Sequence, residues 1–98
     1  MNKMEMLKLN SGEILKEIMA EKGYTREKLA NELGYSRPSG VTERIRSNRI
    51  GLDVFYRMVT AMGCEIVVKS KTFTTKETED GKKVKVYSEW KIEGDDGK

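Results

Sequence analysis

The sequence predicts a mainly α protein with a C-terminal β-hairpin: four to five helices, then a two-stranded antiparallel ribbon. Three observations predict it. Apolar residues recur at helical spacing in successive blocks as far as Met62, with Gly23, Gly34 and Gly63 just past block ends. From Glu65 the pattern changes to β-branched and aromatic residues, in two segments separated by Asp80-Gly81. Charge is also uneven: every arginine lies between Arg26 and Arg57, while the lysines are mostly at the two ends.

Taken in order, residues 1–10 form an N-terminal arm. Met4, Met6, Leu7 and Leu9 alternate in part, and Met6, Leu7 and Leu9 are too apolar for a wholly solvated tail, so part of it should pack on the body or on a partner chain. Residues 11–64 form the helical domain. Ser11 is expected to cap a first helix whose Ile14, Leu15, Ile18 and Met19 share a face, with Glu13 near its positive end and Lys22 before Gly23. Thr25 caps a second helix with Leu29, Ala30 and Leu33 inward, ending at Gly34. The small Ala30 lets another helix cross closely, the geometry of a helix-turn-helix. Val41 and Ile45 give that next helix, near residues 38–48, a narrow apolar edge; Ser39, Thr42, Glu43 and Arg46 fall on its other side. Leu52, Phe55, Met58, Val59 and Met62 then line a further helix. Phe55, the largest of these, is expected in the core, where its loss to alanine would cost about 3 to 5 kcal/mol.

The pattern T-x-x-x-L-A-x-x-L-G at Thr25 to Gly34, the polar helix after it and the helix from Leu52 to Gly63 resemble the small phage-repressor-like helix-turn-helix family, the lambda-repressor or XRE-type fold. The resemblance spans residues 11–64. It departs from the family at Ser36-Arg37-Pro38-Ser39-Gly40-Val41, where the turn is longer than the commonest spacing. It implies a lambda-repressor-like domain that reads double-stranded DNA, and it also allows, as the alternative, the family's protein-binding uses: an antitoxin, or a phage-encoded inhibitor of a host defence complex.

Residues 65–93 read as the hairpin and a dimerisation element. Val84, Val86, Trp90 and Ile92 are expected on one face, which a two-stranded ribbon cannot hide by itself; the helices or a second subunit would cover it. A two-residue loop at Asp80-Gly81 would oppose Lys76 to Lys85. A three-residue loop at Asp80 to Lys82 would set Glu79 by Lys83 and Glu77 by Lys85, and is preferred. Residues 94–98 are acidic and glycine-containing, and are expected to be disordered.

Composition narrows the function. There is no histidine and a single cysteine, so an intrachain disulfide and the usual zinc arrangements are excluded, and Cys64 is expected as a small buried side chain. Neither a nucleophile setting, a glycine-rich phosphate loop nor paired carboxylates on a common face can be found, so no enzyme and no cofactor are expected. No apolar run is long enough for a bilayer and no leader pattern opens the chain; a cytoplasmic protein without membrane contact is expected. Residues 35–50 carry Arg37, Arg44, Arg46 and Arg49 against Glu43 alone, a local excess that equals the net charge of +3 for the whole chain. Arginine's planar fork suits phosphate and the guanine edge. Arg37, Ser39, Thr42, Glu43 and Arg46 are therefore the candidate base-reading residues, and Thr25, Arg26, Arg44, Asn48 and Arg49 the candidate phosphate contacts. The expected function is a sequence-specific repressor acting on a palindromic operator as a homodimer. Its rival is a protein-interaction role with a toxin or a host defence protein as partner.

Overall fold

Helix formation begins at Asn10, whose side chain accepts a hydrogen bond from the Glu13 N–H at 2.9 Å. Asparagine in extended backbone one residue before the helix satisfies a donor that has no partner inside it. Ser11, expected as the cap, is instead the first helical residue, and its Oγ accepts from the Ile50 N–H at 3.3 Å. A computed structural model describes residues 4 and 6–94; the arm of residues 1–10 is thus described in part, and the expected disordered tail, Gly94 apart, lies outside the described residues. Four helices follow one another, α1 (Ser11–Lys22), α2 (Arg26–Leu33), α3 (Ser39–Ser47) and α4 (Leu52–Ala61), and then four short strands, β1 (Ile66–Lys69), β2 (Thr74–Glu77), β3 (Lys83–Val86) and β4 (Glu89–Ile92). They divide into two compact units, Met1–Cys64 and Glu65–Lys98.

In the helical unit, α1, α2 and α4 all end the same way. A residue just past each helix, the second after α1 and α2 and the third after α4, sends its N–H back five positions: Tyr24 to Met19 O at 2.8 Å, Tyr35 to Ala30 O at 2.9 Å and Cys64 to Val59 O at 2.8 Å. That reversal requires a left-handed residue in between, and Gly34 supplies it at φ 79° without steric cost. α3 ends differently, on Asn48 at φ 55°, the only described non-glycine residue with positive φ.

The core is enclosed where the four helices meet. Leu15 and Met19 of α1, Leu29 and Ala30 of α2, Val41 and Ile45 of α3, and Met58, Val59 and Met62 at α4 are buried. α1 and α2 each pack against both α3 and α4. No polar or charged residue among the described residues is buried, so the interior is apolar and driven by surface removed from water. The sequence placed two of its residues too deep. Phe55 is half-buried and Leu52 is 64% exposed, because the core closes around the second half of α4 and leaves its first turn outside. Leu52 and Phe55 instead line an open apolar groove with Leu9, Ile14 and Ile50. Cys64 is half-buried rather than enclosed, and Met4, Met6 and Leu9 of the arm are exposed.

The second unit is a ribbon whose ladder is interrupted, giving two small antiparallel two-stranded sheets, β1 with β4 and β2 with β3. Ile66 lies opposite Ile92 and Val68 opposite Trp90; Thr74 lies opposite Val86 and Lys76 opposite Val84. Between the ladders residues 70–73 face only residues 87–88, so the outgoing side holds two extra residues. Ser70 absorbs them: its N–H reaches Ser88 O, and its Oγ accepts from the Thr72 N–H and lies 2.7 Å from Thr72 O.

The loop register corrects the expected one. The three loop residues are Glu79, Asp80 and Gly81, flanked by Thr78, whose N–H donates to Lys82 O at 2.7 Å. The ladder therefore pairs Glu77 with Lys83 and Thr75 with Lys85, not Glu79 with Lys83 and Glu77 with Lys85. Gly81 decides this. At φ 85° it takes the left-handed last position of a three-residue hairpin loop, a place a lysine at position 82 would fill only with strain. Thr78 fixes the loop further, accepting from the Lys82 N–H and hydrogen bonding to the Asp80 carboxylate, which that contact holds below its ordinary pKa.

Candidate nucleic-acid interface

α3 is amphipathic because Val41 and Ile45, four residues apart, fall on one line, and both are buried. The opposite surface carries Ser39, Glu43 and Arg46, all exposed, with Arg37 exposed just before the helix and Asn48 and Arg49 just after it. Among the described residues no hydrogen bond or ion pair occupies the guanidinium of Arg37, Arg46 or Arg49, and none joins Glu43 to Arg46.

The remaining candidates are engaged within the chain. Thr25 Oγ1 accepts from the Lys28 N–H at 3.1 Å and so caps α2. Arg26, at the start of α2, reaches across to α3, where Nη1 donates to Thr42 Oγ1 at 3.2 Å. That hydroxyl donates in turn to Pro38 O at 3.4 Å, so half-buried Thr42 offers an outside partner its methyl group more readily than its oxygen. Arg44 is held most firmly. Its Nη1 donates to Gly40 O at 3.0 Å, and its guanidinium lies 4.7 Å above the Tyr35 ring, which braces the turn before α3.

Two glycines and one asparagine shape this surface without a signal in the apolar pattern. A Cβ on Gly12 would overlap Ile45 O and Asn48 Oδ1, so α1 crosses the end of α3 at backbone contact distance. Gly40 receives Tyr35: a Cβ there would stand 2.9 Å from the ring's Cδ2. Asn48 turns the chain out of α3, and Ser47 seals the exit, its Oγ donating to Arg44 O and accepting from the Arg49 N–H. Opposite, Tyr24 clamps α2 to α4: its hydroxyl is 2.9 Å from Glu32 Oε1 and 3.1 Å from Ala61 O, and the Glu32 hydrogen bond raises its pKa above the ordinary 10.0. The spacing of a tyrosine before Thr25 and an acid on the outer side of α2 was available in the sequence as a signal for this clamp.

No family model, curated protein or solved structure matches the chain.

The residues assigned to a partner surface lie in the ribbon. Trp90 is 56% exposed beside Val68 at 50%, with Ile66 and Ile92 half-buried next to them, while Val84 stands exposed and Val86 half-buried on the other ladder. Phe73 and Tyr87 meet as tilted rings with centroids 5.9 Å apart and planes at 59°, and the Lys85 ammonium lies 4.7 Å from the Phe73 ring centroid. Among the described residues no three His, Cys, Asp or Glu side chains gather as a metal site, and no helix is long and apolar enough to cross a membrane.

Proposed function

We propose that the chain is a sequence-specific DNA-binding regulator, a repressor whose α2 and α3 act as a helix-turn-helix of the lambda-repressor-like kind and which binds a palindromic operator as a homodimer. The observation that carries this reading is the contrast across α3: Val41 and Ile45 are buried, while Arg46 on the far side, with Arg37 before the helix and Arg49 after it, is exposed and has no hydrogen bond or ion pair among the described residues. A short helix anchored by two side chains, with exposed guanidinium groups on it and at both its ends, fits the major groove, where arginine grips guanine O6 and N7. Ser39, Thr42 and Glu43 read alongside Arg37 and Arg46, the Thr42 methyl against thymine and Glu43 accepting from cytosine. Arg49, Asn48 and Arg26, with the N-terminal turn of α2, hold phosphates and set the register. Arg44, spent on Tyr35 and Gly40, positions the turn; contacting a phosphate would require it to leave the ring.

A single module of this kind buries only about 600 to 1,000 Å² on DNA, and two copies about one helical turn apart supply the missing discrimination. Selection of binding sites from a random duplex pool tests this. The reading expects enriched inverted repeats with half-site centres about 34 to 36 Å apart. An unenriched pool would favour the rival, an antitoxin or defence inhibitor binding a protein through the exposed Trp90, Phe73 and Tyr87 of the ribbon.

A further inference from the structure

We propose that the open edge of β1 pairs with β1 of a second copy, antiparallel and centred on Val67, to make a four-stranded sheet β4-β1-β1-β4. This rests on the homodimer of the preceding reading but not on its DNA contacts.

Among the described residues β1 is hydrogen-bonded on one side only, to β4. Ser70 donates its N–H to Ser88 O across the same ladder, and peptide groups alternate in direction along a strand. Ser70, Val68 and Ile66 therefore turn their backbone toward the return strand, while Glu65, Val67 and Lys69 turn theirs to the open edge. A two-fold pairing centred on Val67 joins outward groups to outward groups, as an antiparallel ladder requires.

Charge selects the same register. With Val67 opposite its own copy, Glu65 lies opposite the second copy's Lys69 and Lys69 opposite the second copy's Glu65, two reciprocal ion pairs. Ile66 then lies opposite the second copy's Val68. Because Trp90 and Ile92 already sit across from Val68 and Ile66, one face gains two unbroken rows of four apolar side chains, Trp90 and Val68 continuing into Ile66 and Ile92 of the second copy. A ribbon of four-residue strands is marginal alone, and four strands with an apolar face are not. The other edge is less suited. Pairing β4 about Lys91 opposes lysine to lysine and Glu89 to Glu93. Shifting it to set Glu89 against Lys91 draws on an ammonium that Glu93 at 3.0 Å and Glu65 at 3.6 Å already hold, and puts Ile92 against Ser88.

Sedimentation equilibrium on the full chain tests the register by charge swapping. Glu65→Lys and Lys69→Glu should each raise the dimer dissociation constant about tenfold or more, by opposing like charges twice per interface. Mixed in equal amounts, the two variants should form a heterodimer about tenfold tighter than either homodimer, since both pairs become attractive. Each variant carries any cost within its own ribbon into every species it forms, so mixed against unmixed isolates the interface even if one ribbon is weakened. The doubly swapped chain should dimerise within about threefold of the parent. No heterodimer preference, or a monomer at micromolar concentration, overturns the proposal. A monomer that still binds duplex DNA would leave the DNA reading standing, and a swap-obeying dimer that ignores DNA would do the reverse.

Discussion

Gly12 of α1 lies against the carbonyl of Ile45 in α3 so closely that a methyl group on it would overlap that oxygen and stand 3.1 Å from the Ile45 carbonyl carbon. Alanine is the better helix former by about 1 kcal/mol, but backbone cannot rotate away as a side chain can. Gly12→Ala should therefore destabilise by a net of about 1 to 2 kcal/mol and lower Tm by roughly 5 to 10 °C in calorimetry. An unchanged or higher Tm would mean that the two helices do not cross there.

The exposed arginines should separate by role. Arg46→Ala should relax sequence preference, costing about 1 to 3 kcal/mol on the best site and little on random DNA. Arg49→Ala should weaken all duplexes alike and reduce the salt slope by about one unit. Competition binding at several salt concentrations measures both, and equal, uniform losses would contradict the assignment.

Core depth along α4 gives a ranking. Met58 is completely buried and Phe55 only half so. Met58→Ala should cost about 2 to 5 kcal/mol, whereas Phe55→Ala, despite the larger side chain, should cost under about 2 kcal/mol. Urea denaturation that reversed the order would restore Phe55 to the core.

Much of this architecture was legible because its signals are local. Thr25 as a cap and Gly34 as a terminator each act within one turn of helix, and Val41 with Ile45 share an edge through a spacing of four. Phe55 and Leu52 misled for a definite reason. Helical period shows which way a side chain points, not where along the axis neighbouring helices stop covering it. The ribbon's register turned on Gly81 needing the last loop place and on Ser70 folding two extra residues into a local turn, neither of which alternation encodes. In the candidate interface the exposed row Ser39, Glu43 and Arg46 could be read from periodicity. The commitments of Arg44 to Tyr35 and of Arg26 to Thr42 could not, since they depend on how two elements meet.

Tyr24 supplies a pH dependence. Its pKa is raised in the folded chain by the hydrogen bond it donates to Glu32. The folded state thus keeps a proton that the unfolded chain releases near pH 10, so this contribution is complete below pH 10 and is lost as pH rises through the folded value. Denaturation at pH 8 and pH 11 should show a fall in stability that is smaller in Tyr24→Phe than in the parent; equal falls would remove the clamp from the account.

Titration of random-sequence duplex DNA with the parent protein, at about 50 and about 200 mM salt, tests the central claim most directly. Exposed guanidinium groups on and beside α3 that neutralise phosphates must release counterions, so binding should be measurable at the lower salt and fall about tenfold or more at the higher. Absence of binding at the lower salt, or an affinity indifferent to salt, would contradict it.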